Sequence, residues 1–361
     1  MLHAVSFWSR GLSAIFQHGG TVVESVIVDT EKKPIGPIDA LTSGFVLIAR
    51  RPWAMLLPVM IYLFTWLGPR LSIAPLVRQA VDALQATAAV QTGQYAEWVQ
   101  SQAKSLAALG DQTNLFDLLA VGVPGLIVTP KGPVVWSLDN GPVATALAVA
   151  ILVIGVFLLA LYLLMIAQQV RDDRIALGAA IGRTAPVVWR LGVLGVVVLG
   201  ILTLVSLPAL LGIGLLSLFS AQGAAMLSSL LIWGCVSVMF WLLFYLYFVM
   251  HAIVLDNTGL RQGVSRSVVL VRQNSGSTLG LILLTLLLGL GLGQVWGAIA
   301  ETTLGAVAGI LGSAYIATGL VAASLIFYRS RWSILQKQLN TVAAAKLAQA
   351  ALPEQTDQAD K

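Results

Sequence analysis

Apolar residues along this chain gather into runs longer than the core of a water-soluble domain requires. A helix needs about 20 apolar residues to cross a hydrocarbon layer of roughly 30 Å, and six windows qualify: 53–70 (WAMLLPVMIYLFTWLGPR), 143–166, 189–215, 228–255, 278–299 and 304–328. The pattern predicts an all-α integral membrane protein with six transmembrane helices. Pro208 in the third window lacks a backbone donor and is expected to kink or end that helix.

Between the first two windows lies residues 71–142, where polar and apolar positions alternate with helical period. Leu76, Val77, Ala80, Val81, Leu84 and Ala88 share one face, and Tyr95, Trp98, Val99, Leu106 and Leu109 resume the pattern after Gly93. A third short helix is expected at 114–121, with Asn114 in the capping position before LFDLLAV. The Gly- and Pro-rich GVPGLIVTPKGPVVWSLDNGP reads as an ordered loop with short extended pieces. This element is read as a helical extracytoplasmic cap packed on the span ends; the alternative is a helix pair lying in the interface with Trp98 and Trp136 as anchors. Past the last window, 329–361 reads as a polar helix that ends in disorder.

Charge sets the orientation. With 58% apolar and 10% charged residues and a mean hydropathy of +0.88, the bilayer is the solvent this composition fits. The net charge of +5 comes from scattered Lys and Arg rather than a basic run, which argues against nucleic acid as a partner. Starting six spans from the cytoplasm leaves only Arg70, Arg78, Lys104 and Lys131 outside, while Asp and Glu divide more evenly. That is the asymmetry of the positive-inside rule, so both termini are expected in the cytoplasm of a bacterial inner-membrane protein. Residues 1–52 lack a continuous apolar stretch of signal-peptide type and are read as a cytoplasmic segment. A single cysteine, Cys235, sits in an apolar run, so no intrachain disulfide forms.

The segments expected inside are related. PIDALTSGFVLIARRPWAML from Pro37, RIALGAAIGRTAPVVWRLGVL from Arg174 and TGLRQGVSRSVVLVRQNSGSTLGL from Thr258 align Leu41, Leu177 and Leu260, then Gly44, Ala180 and Gly263, then Phe45, Ile181 and Val264. Trp53, Trp189 and Arg272 each stand twelve after the leucine. Each segment is read as an elbow helix with an apolar face and basic ends, resting at the boundary of acyl chains and headgroups and feeding a two-helix hairpin. The six spans thus become three elbow-plus-hairpin repeats, and Arg50, Arg51, Arg183, Arg266 and Arg272 become candidates for lipid-headgroup contact.

The third elbow, GLRQGVSRSVVLVRQN followed by a glycine-rich span, resembles the recurring unit of the glycerophosphoryl diester phosphodiesterase membrane-domain family and related polytopic proteins of bacteria. The resemblance is best over 250–300 and looser over 145–330, and the 71–142 element departs from the simpler loops of that family. It implies a membrane fold without the family's activity. The catalytic barrel of some members needs a His-Arg-Gly start, clustered carboxylates and a second histidine, whereas this chain has only His3, His18 and His251, none in that context.

Other groups read as structural. His251 and Asp256 close the fourth window at its inner end, and Arg171, Asp172, Asp173 and Arg174 follow the second as a solvated charge cluster. Gly293 with Gly297, and Gly305 with Gly309, have the four-residue spacing that lets helices pack closely, making these glycines helix-packing candidates. The alternative is a narrow pathway lined by Gln294, Ser313, Tyr315 and Thr318. No nucleotide-binding, zinc-protease or serine-hydrolase motif occurs in a suitable context, and no catalytic, metal or cofactor site is expected. The function expected is a membrane scaffold or accessory protein, with membrane lipids as partners and a protein partner at the cap; the other reading is a transporter or exporter of a small apolar or lipid-like molecule.

Overall fold

Pro52 decides where the first helical segment breaks. In the computed structural model, which describes residues 34–89, 94–122, 134–172, 177–217 and 221–351, helix α1 (Pro37–Arg50) opens on a proline at its first turn, where no donor is missed. Arg51 precedes Pro52, is driven out of the helical region (φ −139°, ψ 71°), and breaks the helix. A 3-10 turn (Pro52–Met55) and helix α2 (Leu56–Leu67) follow at 95° to α1. The chain divides at Pro34 into units Met1–Pro34 and Ile35–Lys361, and the first lies outside the described residues apart from Pro34 itself. So do the end of the tail, 352–361, and the neighbours Asp173 and Arg174.

After α2 come strand β1 (Arg70–Ser72), α3 (Ala74–Ala89), α4 (Gln94–Gln112), a 3-10 turn (Leu115–Ala120) and strand β2 (Val135–Ser137). The long helices follow: α5 (Gly141–Asp172), α6 (Leu177–Ser217), α7 (Ala221–Leu246), α8 (Val249–Asp256), α9 (Leu260–Gln273), α10 (Ser275–Ile299) and α11 (Thr303–Ala351). Among the described residues, five stretches are long and apolar enough to cross a membrane: α5, Ala180–Pro208 of α6, Ser229–Asp256, α10, and Thr303–Ala345 of α11; the count is six if the bent pair α1–α2 is one span.

Several boundaries differ from the sequence reading. The window at 53–70 holds a helix of only 12 residues, about 18 Å long and short of the roughly 30 Å a lone crossing needs. The second elbow is not a separate helix; it runs unbroken into the third window, and α6 continues past both Pro186 and Pro208. The fourth window breaks at Tyr247–Phe248, and the sixth continues without interruption into the tail.

The first elbow packs one face on the bundle, with Ala40, Leu41, Gly44 and Ile48 buried, and leaves Ile38 and Val46 exposed on the other. It stands along α11, antiparallel to it: Ile35 N–H donates to Ser330 Oγ (3.4 Å), and Tyr315 Oη donates to the Phe45 carbonyl (3.3 Å). A Cβ placed on Gly44 would lie 2.5 Å from the Gly319 carbonyl oxygen and 2.6 Å from Ala323 N, so only glycine allows this approach. Phe45 covers Gly319 in the same way from the other side. The small positions of all three elbows, Gly44, Ala180 and Gly263, are buried, as are the residues four further on, Ile48, Thr184 and Ser267.

Of the spanning candidates α11 is the most enclosed, and α6 and α10 are the least. Tyr162, Phe248, Ile253, Leu270, Leu281, Ile310, Phe327 and Tyr328 are fully buried core residues drawn from α5, the Tyr247–Phe248 break and α8–α11. Outward-facing residues such as Leu199, Trp233 and Leu290 are exposed and apolar, as expected where lipid rather than water surrounds the helices.

The 71–142 element has the two expected helices, which pack on each other through Val81, Val99 and Ala103. Asn114 caps the 3-10 turn, accepting from Phe116 N (3.2 Å), and also accepts from Leu71 N (3.0 Å) to fix β1. β1 and β2 pair in parallel, joining the end of α2 to the segment that begins α5. The 3-10 turn sits on α5, where the Leu118 carbonyl lies against Gly155.

Candidate functional site

Charged side chains converge where α5 ends, α6 begins and α11 leaves its apolar run. α5 and α11 run in the same direction, since Tyr162 Oη donates to Thr318 Oγ1 (3.1 Å) and Arg329 donates to the Val170 carbonyl further along. Arg171, Arg183, Arg190, Arg266, Arg329 and Arg331 therefore stand at one end of the bundle, and β1, β2 and the Asn114 turn at the other.

At this end a cavity of about 460 Å³ is lined by Arg171, Arg183, Leu255, Asp256, Asn257, Arg266, Trp332 and Gln336. Its floor is built from a turn. α8 ends at Asn257, which takes the left-handed conformation (φ 51°) that asparagine tolerates better than most residues. Arg190 holds that turn by donating to Asn257 Oδ1 (2.6 Å), the Asn257 carbonyl (3.0 Å) and the Thr258 carbonyl (3.2 Å). The turn places Asp256 opposite Arg266 of α9, whose guanidinium donates to Asp256 Oδ2 (2.6 Å). Tyr328 Oη donates to the same oxygen (2.9 Å).

Arg266 also lies 4.6 Å from the Trp332 ring centre, and Trp332 stacks on Tyr328, one helical turn away on α11. The rim differs. Arg171 pairs with Asp172 (2.7 Å), while Arg183 is exposed and lies within electrostatic reach of the same carboxylate. The lining thus carries three guanidinium groups and one carboxylate, and that carboxylate is already engaged.

The headgroup candidates separate into three groups. Arg183 and Arg266 come together on the cavity, although Arg266, 18% exposed, is held by Asp256 rather than free at the surface. Arg272 is exposed at the end of α9, outside the lining. Arg50 and Arg51 are not with them: α1 leads inward along α11 for about 21 Å from its start, so its basic end lies level with the apolar part of α11. Physically, the elbow traded an interfacial position for packing on Gly319 and Ala323.

The glycine candidates also separate. Gly293 and Gly297 have open space where a Cβ would stand, so neither makes a close helix contact within the described residues. Gly305 is tight against the Ile299 carbonyl and Thr302 in the α10–α11 turn, and Gly309 is buried. Close helix approach occurs instead at Gly44, Gly319 and Gly312, the last lying under the Trp296 ring.

His251, expected at an interface, is buried between Tyr247, Phe248 and Tyr328, with Nδ1 3.1 Å from the Tyr247 carbonyl. The pathway residues do not share a lining. Thr318 and Tyr315 bond within the core, Ser313 is buried, and Gln294 is exposed.

What the sequence reading missed is the Asp256–Arg266–Trp332–Tyr328 cluster. Its signals were an acid and a base flanking a turn ten residues apart, and two aromatic residues four apart on one helix.

No family model, curated protein or solved structure matches this chain. The likeness to the phosphodiesterase membrane-domain family rests on the quoted residues alone.

Proposed function

We propose that the chain is a non-catalytic, multi-pass membrane protein, a scaffold or accessory component whose basic end faces the cytoplasm and engages anionic lipid headgroups. The observation that carries this reading is the collection of guanidinium groups at one end of a bundle whose flanks are exposed and apolar. Under the positive-inside rule that end is cytoplasmic. The course of the bent pair supports six crossings: it starts beside Ser330 and ends in β1, paired with the strand that precedes α5. Buried Gly44, Ala180 and Gly263 support the threefold elbow pattern. The cap, with exposed Leu84, Leu109 and Trp136, is the surface offered to a protein partner.

The test is lipid selection by the full chain in nanodiscs of mixed phosphatidylglycerol and phosphatidylcholine. Enrichment of phosphatidylglycerol near the protein, reduced when Arg183 is changed to Gln, is the expected result. Equal retention of both lipids by the unaltered protein removes the reading.

A further inference from the structure

The geometry points to the cavity as a discrete site for one phosphate-bearing molecule of headgroup size, not merely a part of a diffuse positive surface. The inference rests on the leaflet reading above only where the phosphate belongs to a lipid. Residues from five helices meet there: Arg171 from α5, Arg183 from α6, Asp256 from α8, Arg266 from α9 and Trp332 from α11. Guanidinium forks match phosphate oxygens in pairs and remain charged at any physiological pH. Two of the three are already matched, Arg171 by Asp172 and Arg266 by Asp256, whose Oδ2 also accepts from Tyr328, so one positive charge is in excess and it lies on Arg183 at the rim.

The site is organised before any ligand arrives. Arg266 is fixed by Asp256 on one side and the Trp332 face on the other, and the floor turn is fixed by Arg190. Groups already held in place lose little freedom on binding, which favours affinity. Arg183, exposed on the rim and facing Asp172 only at longer range, is the group left to close on the ligand.

Size separates a bare ion from a headgroup. A volume of about 460 Å³ is that of roughly 15 waters at ~30 Å³ each, and lies within the ~300–1,000 Å³ of small-molecule sites. The Asn257 and Gln336 amides and the Asp256 carboxylate can accept from hydroxyl or ammonium groups carried with the phosphate. A second void, bounded by Leu164, Ala167, Val254 and Leu255 and sharing Arg171 and Arg183, measures only about 10 Å³. No acyl chain fits it, so the tails of a lipid would stay outside, beside the exposed Ile181 and Trp189 of α6.

The experiment uses the full chain, stripped of lipid by detergent exchange. Inorganic phosphate is titrated by calorimetry, and retained phosphatidylglycerol is counted by native mass spectrometry after nanodisc release. Arg183→Gln is compared with Arg272→Gln, which removes the same charge outside the cavity. The expected result is one saturable occupancy per chain, weakened about tenfold by Arg183→Gln and changed less than about twofold by Arg272→Gln.

Retained phosphatidylglycerol without phosphate binding assigns the site to a lipid headgroup; saturable phosphate binding assigns it to the phosphate group itself, including a soluble one. No saturable occupancy by either probe, or equal weakening by both variants, overturns the proposal. Equal weakening leaves the leaflet reading standing, whereas saturable phosphate binding without any anionic-lipid preference removes the leaflet reading and keeps the site.

Discussion

Gly44→Ala adds one methyl group where α1 touches α11, and its cost can be worked from the contact. The new carbon would be 2.5 Å from the Gly319 carbonyl oxygen and 2.6 Å from Ala323 N, both backbone atoms of a helix packed on all sides. Neither can rotate away, so α1 must shift by roughly 1 Å, a gap that forfeits a quarter to a half of each contact it opens. Overpacking of this kind costs about 1–3 kcal/mol, and backbone obstruction places it at the upper end. Alanine returns about 1 kcal/mol of helix propensity. The net expectation is a loss of about 2 kcal/mol, seen as a fall of several degrees in the melting temperature in detergent.

The equivalent elbow position, Gly263, supplies the control. There the added carbon meets Ile253, Thr258 and Val249 at 3.5 Å, ordinary contact, so Gly263→Ala should be neutral or stabilising. A Gly44→Ala protein that melts with the wild type, or a Gly263→Ala protein equally damaged, refutes the reasoning.

Other changes test other contacts. Ser267→Ala removes the hydroxyl that donates to the Tyr245 carbonyl (2.6 Å) and accepts from Phe248 N (3.1 Å) across the α7–α8 break; stranding two buried backbone groups should cost about 1–3 kcal/mol in a thermal melt, and wild-type stability would contradict it. Arg266→Gln should lower the melting temperature while Arg272→Gln leaves it unchanged, because only Arg266 has the Asp256 and Trp332 contacts. In a Cys235→Ser background, Gln338→Cys and Asp139→Cys should react with an impermeant maleimide from opposite sides of sealed vesicles; labelling from one side contradicts the six-crossing topology.

Burial raises the Asp117 carboxyl pKa against the opposing charge of Arg70. Its contribution to stability is present below the ordinary carboxylate pKa and lost as pH rises through the raised one. Asp117→Asn should therefore gain on the wild type in melts at pH 7 relative to pH 4, and a constant difference would contradict the shift.

The long helices were legible because hydrocarbon thickness sets a length that local sequence must meet, and Asn114 was legible because capping is local. The fate of the first elbow was not. A basic amphipathic helix reads alike whether its apolar face meets acyl chains or another helix, and the deciding residues, Gly319 and Ala323, lie far along the chain. The glycine spacing at 293 and 297 is silent for the same reason, since a small residue permits close approach but does not supply the neighbour, and within the described residues none stands there. Of the residues lining the cavity, Arg183 and Arg266 had been singled out from charge and position. Their joint use of one cavity with Arg171 and Trp332 depends on α5, α6, α9 and α11 meeting, which no local pattern encodes.

The docking of α1 on α11 closes a loop of 295 residues between Ile35 and Ser330, and this sets an order of events during synthesis. A ribosome delivers α1 and α2 first, yet at 14 and 12 residues neither is long enough to settle alone across a bilayer. The groove that receives Gly44 does not exist until the final helix emerges. Until α11 has been made, the face of α1 that carries Gly44 has nothing to pack on, so a chain that stops short of Gly319 and Ala323 leaves that face uncovered.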